Sequence, residues 1–296
     1  MQVRLLWCPP PFLSKVVVNG YCYLLRTYDI RRDEPATVQR TIMFDCGSQS
    51  YWDLGESVIV PALKYLGVTR IDALFLSHAD IDHYGGSLDV IAKVPVDRVY
   101  VPPQMLAEAQ SHPDRAPAFL IAQLKAHGVP VTAVVRGWSR QWANCGATMI
   151  WPPPDLPGVR ANDTSLVMKV RAGEHRILFT GDVQGYAMSA MLDADADVRA
   201  HVCELPHHGS FVNAAPLFLR RAAPRFVLQS SARDRLYHDR WADHFRNDAA
   251  QRLITANLGM VELRFHADGT ITWSSFRNTA PCPVNRAAPV SGTPPQ

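Results

Sequence analysis

No stretch of this 296-residue sequence is long and apolar enough to span a bilayer. Apolar stretches such as Ala73 to Ser77 and Val198 to Pro206 fall far short of the roughly 20 residues a spanning helix needs. No export signal is expected either, since Cys8 and three prolines interrupt Met1 to Pro11 before any apolar run develops. A cytoplasmic protein with no membrane partner is expected. Cysteine is sparse: Cys8, Cys22, Cys46, Cys145, Cys203 and Cys282 form no Cys-x-x-Cys pair. That spacing excludes a cysteine zinc knuckle and argues against a disulfide framework, leaving buried free thiols. Charge of one sign is lacking too. A net +3 permits an anionic substrate without requiring one. Lysine is rare (Lys15, Lys64, Lys93, Lys125 and Lys169), so the positive charge is nearly all arginine, which reads as compositional bias.

What remains is a chain 47% hydrophobic and 19% charged, enough apolar residue for a sizeable core. Strands are predicted at Lys15 to Asn19, Tyr21 to Arg26 and Thr41 to Asp45, the last two flanking a polar hairpin loop from Asp29 to Gln39. A helix from Val58 to Leu66 stops at Gly67, and a buried-type strand follows at Ile71 to Ser77. Gly85-Gly86 opens a helix through Ala92, and another runs from Ala116 to His127, ended by Gly128. Further strands are predicted at Val96 to Val101, Pro130 to Val135 and Ala147 to Trp151. Ser165 to Arg171 and Arg176 to Thr180 read as a hairpin turning at Ala172-Gly173-Glu174. Beyond a helix at Gly185 to Leu192, strands are expected at Arg199 to Leu205, Arg225 to Gln229, Met260 to Phe265 and Thr270 to Ser274. Strand-rich stretches with a few helices in both halves fit two sheets packed face to face with helices outside. One domain over residues 1–278 is expected, with residues 279–296 a disordered Pro-rich tail.

Chemistry concentrates in His78-x-Asp80-x-Asp82-His83-x-Gly85-Gly86. Four metal-competent side chains within six residues close an apolar strand, and adjacent buried carboxylates would repel unless a cation lies between them. A solvated loop with capping aspartates is the bland alternative. Two further strand ends carry comparable groups: Thr180-Gly181-Asp182, where a capping aspartate would be unremarkable alone, and Pro206-His207-His208-Gly209-Ser210.

Taken in order, Phe44-Asp45-Cys46-Gly47, the His78 to Gly86 cluster, Asn162-x-x-Ser165-Leu166, Thr180-Gly181-Asp182, Pro206 to Ser210 and His238 resemble the metallo-β-lactamase superfamily. Within it they resemble the hydrolase domain of ComEC-type DNA-uptake proteins and their free-standing relatives, over roughly Val16 to Ser275. The resemblance implies an α/β fold, the four-layer αββα sandwich, and a site for two divalent metal ions. One ion would be held by His78 and Asp80, the other by Asp82, His83 and either His207 or His208, with Asp182 bridging. Asp45 would support the cluster, Asn162, Ser165 and Ser210 would lie beside metal or substrate, and His238 would be a ligand or a proton donor.

The superfamily more often has histidine where this chain has Asp80, and a third histidine where it has Asn162. Oxygen in place of nitrogen shifts preference from zinc towards manganese, so zinc or manganese is expected. Glu204, where lysine is common, and Cys8-Pro9-Pro10-Pro11 are atypical positions expected near the mouth of the site. The expected chemistry is hydrolysis by a metal-bridging hydroxide, with Asp82 holding or deprotonating the nucleophile and His238 protonating the leaving group. A phosphodiester suits two cations. The arginines between Leu217 and Arg252, with Tyr237 and Trp241, suggest a groove for single-stranded nucleic acid; solvated helix faces explain them equally well. Small esters, thioesters or phosphoesters are the alternative substrates, and a non-catalytic or partner-regulated effector subunit is the alternative class.

Overall fold

The computed structural model describes residues 2–5, 20–29, 37–48, 53–142, 145–246 and 248–276. The predicted strand at Lys15 to Asn19, the Cys8 to Pro11 segment, residues 30–36 of the hairpin loop and the tail lie outside the described residues.

Strands β1 (Gln2–Leu5), β2 (Gly20–Asp29), β3 (Thr37–Ser48), β4 (Ala73–Phe75), β5 (Val99–Val101) and β6 (Val131–Ala133) supply most of a first sheet. Then β7 (Ser139–Trp142), β8 (Cys145–Trp151), β9 (Val167–Ala172), β10 (His175–Phe179), β11 (Val202–Glu204), β12 (Phe226–Gln229) and β13 (Gln251–Ile254) build a second. The chain returns to the first with β14 (Val261–Phe265) and β15 (Ile271–Ser275). The sheet orders are β15-β14-β1-β2-β3-β4-β5-β6 and β13-β12-β11-β10-β9-β8-β7. In each, a hairpin-linked antiparallel part continues into a parallel run, β3 to β6 and β10 to β13.

Side-chain parity builds the four layers. Residues alternate between faces along a strand, so Ile42 and Phe44 face Ile177 and Phe179 between the sheets, in one apolar cluster. Met43, Leu74 and Leu76 point the other way and pack on Leu63, Val90, Leu120 and Leu124 from helices outside the first sheet. Leu178, Cys203 and Val227 likewise pack outwards on Met188, Met191, Phe218 and Trp241. This is the expected αββα sandwich. Cys22, Cys46, Cys145 and Cys203 are buried free thiols, as the scattered spacing implied.

Several elements differ from the sequence reading. The strands flanking the hairpin loop run longer, to Asp29 and from Thr37. A short helix, Ile81–Tyr84, lies inside the His/Asp cluster, and helices at Pro103–Ser111 and Ala215–Ala222 had no prediction. The Ala215–Ala222 helix buries Phe218 and Leu219 and leaves Arg220 and Arg221 outwards, the solvated-face alternative.

Several arginines of the stretch expected to form a basic groove have local partners. Arg221 pairs with Asp195, Arg246 with Asp243, and Arg252 with Asp239 at 2.7 Å. Arg235 donates to Ser210 Oγ at 2.8 Å and Arg240 lies over the Phe211 ring. Trp241, expected as a stacking platform, is 1% exposed in the outer core, because its indole is the apolar anchor of the helix Trp241–Arg246.

Candidate metal centre

The parallel parts of both sheets end at the same edge, and each strand end hands over one site residue. Asp45 lies within β3, before its end at Ser48, while Ser77-His78 follows β4, Thr180-Gly181-Asp182 follows β10, and Pro206-His207-His208 follows β11. Ligand atoms of Asp82, His83, Asp182 and His208 all lie within 4.8 Å of one another, and all four residues are buried. His83 Nε2 is 3.3 Å from Asp182 Oδ1, and His208 Nε2 is 3.1 Å from Asp82 Oδ2 and 3.8 Å from Asp182 Oδ2. His207 Nε2 also lies 3.6 Å from Asp182 Oδ2, and His78 Nε2 is 3.3 Å from Asp80 Oδ2. Both histidines of the 207/208 pair therefore reach Asp182. His208 is the one inside the tight group; His207 also meets Asn162 Nδ2 at 3.3 Å and Gln184 Nε2 at 2.8 Å.

The backbone is bent to achieve this. Asp45, His207 and His208 have φ values of 56°, 50° and 54°, a left-handed conformation that costs a non-glycine residue on the order of 1–3 kcal/mol. Close approach does the rest: a Cβ on Gly47 would stand 2.6 Å from the carbonyl oxygen of Ile81 and the carbonyl carbon of Asp82. Gly47→Ala is therefore expected to push the 81–82 backbone away. Destabilisation of about 1–3 kcal/mol by urea denaturation, the usual cost of forced overpacking, is the checkable result.

Supporting contacts fix the orientation. Asp45, fully buried, accepts the Ser77 backbone N–H at 2.6 Å through Oδ1 and holds His83 Nδ1 at 2.7 Å with Oδ2. That leaves His83 Nε2 facing Asp182. His208 Nδ1 is 3.1 Å from the Ser230 carbonyl, which directs its Nε2 inward in the same way. Ser165 Oγ accepts the Asp182 N–H at 3.1 Å. Ser210 is turned away, towards Arg235. His238 is exposed on the turn before Trp241–Arg246, with no hydrogen bond or ion pair to the cluster.

Burial alone would raise the Asp182 carboxyl, but His83 and His208 hold it well below the ordinary range. Burial would lower His83, and Asp182 and Asp45 reverse that, holding it well above its ordinary value. The same geometry suits cations better than protons. Asp82 Oδ1, Asp182 Oδ1 and His78 Nε2 are buried without a hydrogen bond, and two buried carboxylates this close need compensating charge. The donor set, imidazole nitrogen with carboxylate oxygen, fits a divalent transition metal.

Two residues of this region carried weak or no sequence signal. Asp163, beside the singled-out Asn162, accepts the backbone N–H of Gln184 at 2.8 Å and of Ala187 at 3.1 Å, fastening the start of helix Gly185–Asp193 just beyond Asp182. Glu204 is not at the mouth of the site. It is fully buried behind Gly181, where Oε2 accepts the N–H groups of Thr180 at 2.6 Å and Gly181 at 2.9 Å. The lysine expected at this position would carry no acceptor for those two donors.

Burial pushes the Glu204 carboxyl up to about 8 despite those two bonds. Below its ordinary value of 4.5 both folded and unfolded chains hold the proton. Between 4.5 and about 8 only the folded chain holds it, so unfolding releases a proton and rising pH erodes stability; above about 8 the loss is complete. Each pKa unit is worth about 1.4 kcal/mol, so the erosion amounts to several kcal/mol. Glu204→Gln keeps an acceptor and removes the titration. Urea midpoints should show the variant gaining on the parent between pH 5 and 8.5; parallel pH profiles would contradict the assignment.

Two mixed sheets between helices, with imidazoles and carboxylates gathered where the strands end, define an αββα protein with a candidate metal centre. The chain belongs to the metallo-beta-lactamase superfamily, whose profile matches residues 17–284. It is 26% identical over 190 residues to ComE operon protein 3 of Bacillus subtilis (strain 168), covering 64% of this chain and 24% of that protein. It is 27% identical over 196 residues to competence protein ComA of Neisseria gonorrhoeae, covering 66% and 24%. The chain thus spans roughly a quarter of these relatives' length. Their likeness bears out the ComEC-type resemblance carried by the motifs. Among solved structures, Tm1679, described as a metal-dependent hydrolase of the beta-lactamase superfamily, shares the fold with a TM-score of 0.52 at 13% identity, covering 89% of this chain and 98% of that one. Among the described residues no helix is long and apolar enough to cross a membrane.

Proposed function

We propose that this chain is a metal-dependent hydrolase of phosphodiesters, acting in the cytoplasm. The convergence of Asp82, His83, Asp182 and His208 within 4.8 Å, from three separate stretches of chain, carries the reading. Asp82, His83 and His208 would hold one divalent cation, His78, Asp80 and His207 a second, and Asp182 faces both sets. Zinc or manganese is the proposed metal, the oxygen donor Asp80 favouring manganese at its position. Such ions supply Lewis acidity: they acidify a bound water and offset charge developing on the phosphoryl oxygens.

The chain's own residues do the rest. Asp82 Oδ1, buried and without a hydrogen bond, is the acceptor for the proton of the attacking water. Asp45 and the Ser230 carbonyl each engage Nδ1, of His83 and His208, so that Nε2 would be the ligating nitrogen of both rings. Substrate approaches from the Asp80 side, where that side chain is 43% exposed. It opens onto a cavity of about 470 Å³ walled by Gln104, Met105, Arg115, Leu156 and Val159. Nothing in this scheme needs His238. The resemblance to DNA-uptake hydrolase domains favours single-stranded nucleic acid as the phosphodiester.

The test is an assay of single-stranded DNA, RNA and a generic phosphodiester with manganese and with zinc, beside an Asp82→Ala His83→Ala control. Metal-dependent phosphodiester cleavage absent from the control is expected. Ester turnover with no phosphodiester cleavage under either metal would replace this reading with the small-ester alternative. Two bound metals with no turnover would replace it with a regulated effector.

A further inference from the structure

A second site of different character lies at the other end of the parallel strands. Because β3, β4 and β5 run parallel, their starts gather at the edge opposite the metal centre. From Asp72 to Ser77 the chain advances five residues, on the order of 16 Å at about 3.3 Å per residue. A cavity of about 770 Å³ opens there, bounded by the starts of these strands and by β7 of the other sheet.

Its wall is rich in arginine. Arg26, Arg40, Arg70, Arg98 and Arg140 line it against only Asp72 and Asp97, an excess of three positive charges. The two aspartates are already engaged. Asp97 is bonded to Arg70, and Asp72 accepts the Thr41 N–H at 2.7 Å while standing 3.7 Å from Arg40. Arg98 and Arg140 meet neutral oxygens instead, the hydroxyls of Thr132 and Tyr100. Each therefore keeps most of its five N–H donors available. The Arg140 guanidinium also rests over the Trp142 ring, 5.3 Å from its centroid, which holds its plane. Arg26 is buried in the same wall and donates to the Leu66 carbonyl.

Like charges in a concave wall raise the local potential and favour an anion of matching charge. Planar guanidinium forks are better suited to bidentate phosphate contacts than an ammonium would be. We propose that this cavity binds a linear di- or triphosphate group, held chiefly by Arg98 and Arg140, at a site separate from the metal centre. Bound there, the ligand ties the starts of β4 and β5 in the first sheet to β7 in the second, so it stabilises the fold by mass action. The proposal is independent of the hydrolase reading, since it uses none of the metal-centre residues.

The test is calorimetric titration and thermal melting of the full chain in EDTA with tripolyphosphate and, separately, ATP, at fixed ionic strength. Saturable binding with a rise in melting temperature is expected. Arg98→Gln/Arg140→Gln should weaken binding at least tenfold. Arg140 is exposed and Arg98 half-buried, so this variant should melt like the parent without ligand. Arg98→Lys, which keeps the charge and loses the fork, should weaken it several-fold and guards against misfolding of the double variant. Asp182→Ala should bind as the parent does. Equal affinity for the two ligands assigns the site to the phosphate chain, tighter ATP binding to a nucleotide; both uphold the proposal. No saturable binding at millimolar ligand, unchanged affinity in Arg98→Gln/Arg140→Gln, loss of binding in Asp182→Ala, or an equal melting rise with sodium chloride would each overturn it.

Discussion

Asp182→Ala is expected to strip the protein of bound metal and lower its hydrolytic turnover by at least about a thousandfold. The carboxylate stands between two groups of donors, with Oδ1 towards His83 and Oδ2 towards His207 and His208. Removing it takes away the carboxylate that His83, His207 and His208 share. On the proposed function, cations held there would supply several kcal/mol of transition-state stabilisation, and each 1.4 kcal/mol is about tenfold in rate. Metal content measured by emission spectroscopy on the purified variant, beside its phosphodiesterase rate, checks both halves. A variant that retains two metal equivalents would show that Asp182 is structural. Its folding should survive: the Ser165 hydroxyl binds the Asp182 backbone rather than its side chain, and Ala still supplies that N–H.

The second large effect is subtler in chemistry. Asp45→Asn preserves volume and keeps one oxygen for the Ser77 N–H, but it can place an amide N–H₂ opposite His83 Nδ1, where the native carboxylate accepts. The imidazole then carries its proton on Nε2, the atom that faces Asp182, and that nitrogen can no longer ligate. Metal affinity should fall about 10–100-fold, the usual cost of losing an orienting partner. Competition with a chelating dye measures it. Asp45→Ala is expected to do worse, because it abandons a buried donor and a buried imidazole together, at a cost of about 3–5 kcal/mol in stability. If Asp45→Asn binds metal as tightly as the parent, His83 does not depend on Asp45 for its tautomer. The pair of substitutions separates orientation from stability, since only the alanine should shift the denaturation midpoint strongly.

Much of this was readable from residue order. Apolar runs at Tyr21 to Arg26 and Arg176 to Thr180 located strands, and apolar runs ending in His, Asp and Gly located the chemistry. The ends of the Asp29 to Gln39 insert are polar and look like loop when read alone, and pairing such as Asp29 with Thr37 is what makes them strand. Arginines between Leu217 and Arg252 looked like a nucleic-acid groove because composition does not reveal partners. Asp195, Asp239 and Asp243, two of them from the same stretch, consume three of those charges. Conversely, the five arginines of the far cavity are spread from Arg26 to Arg140 and make no cluster in the sequence.

By itself the sequence determined the fold family and the identity of the metal-competent side chains, because those follow from local rules: strand periodicity, glycines at turns, and donor atoms packed into short segments. The tertiary structure alone decided which of them meet. It set His208 inside the tight group and left His207 outside it though still near Asp182, put Glu204 behind the Gly181 turn instead of at the mouth, and left His238 at the surface. Each of those outcomes depends on strands remote in sequence ending at a common edge. Distance between side chains is a property of that packing, and no spacing along the chain encodes it.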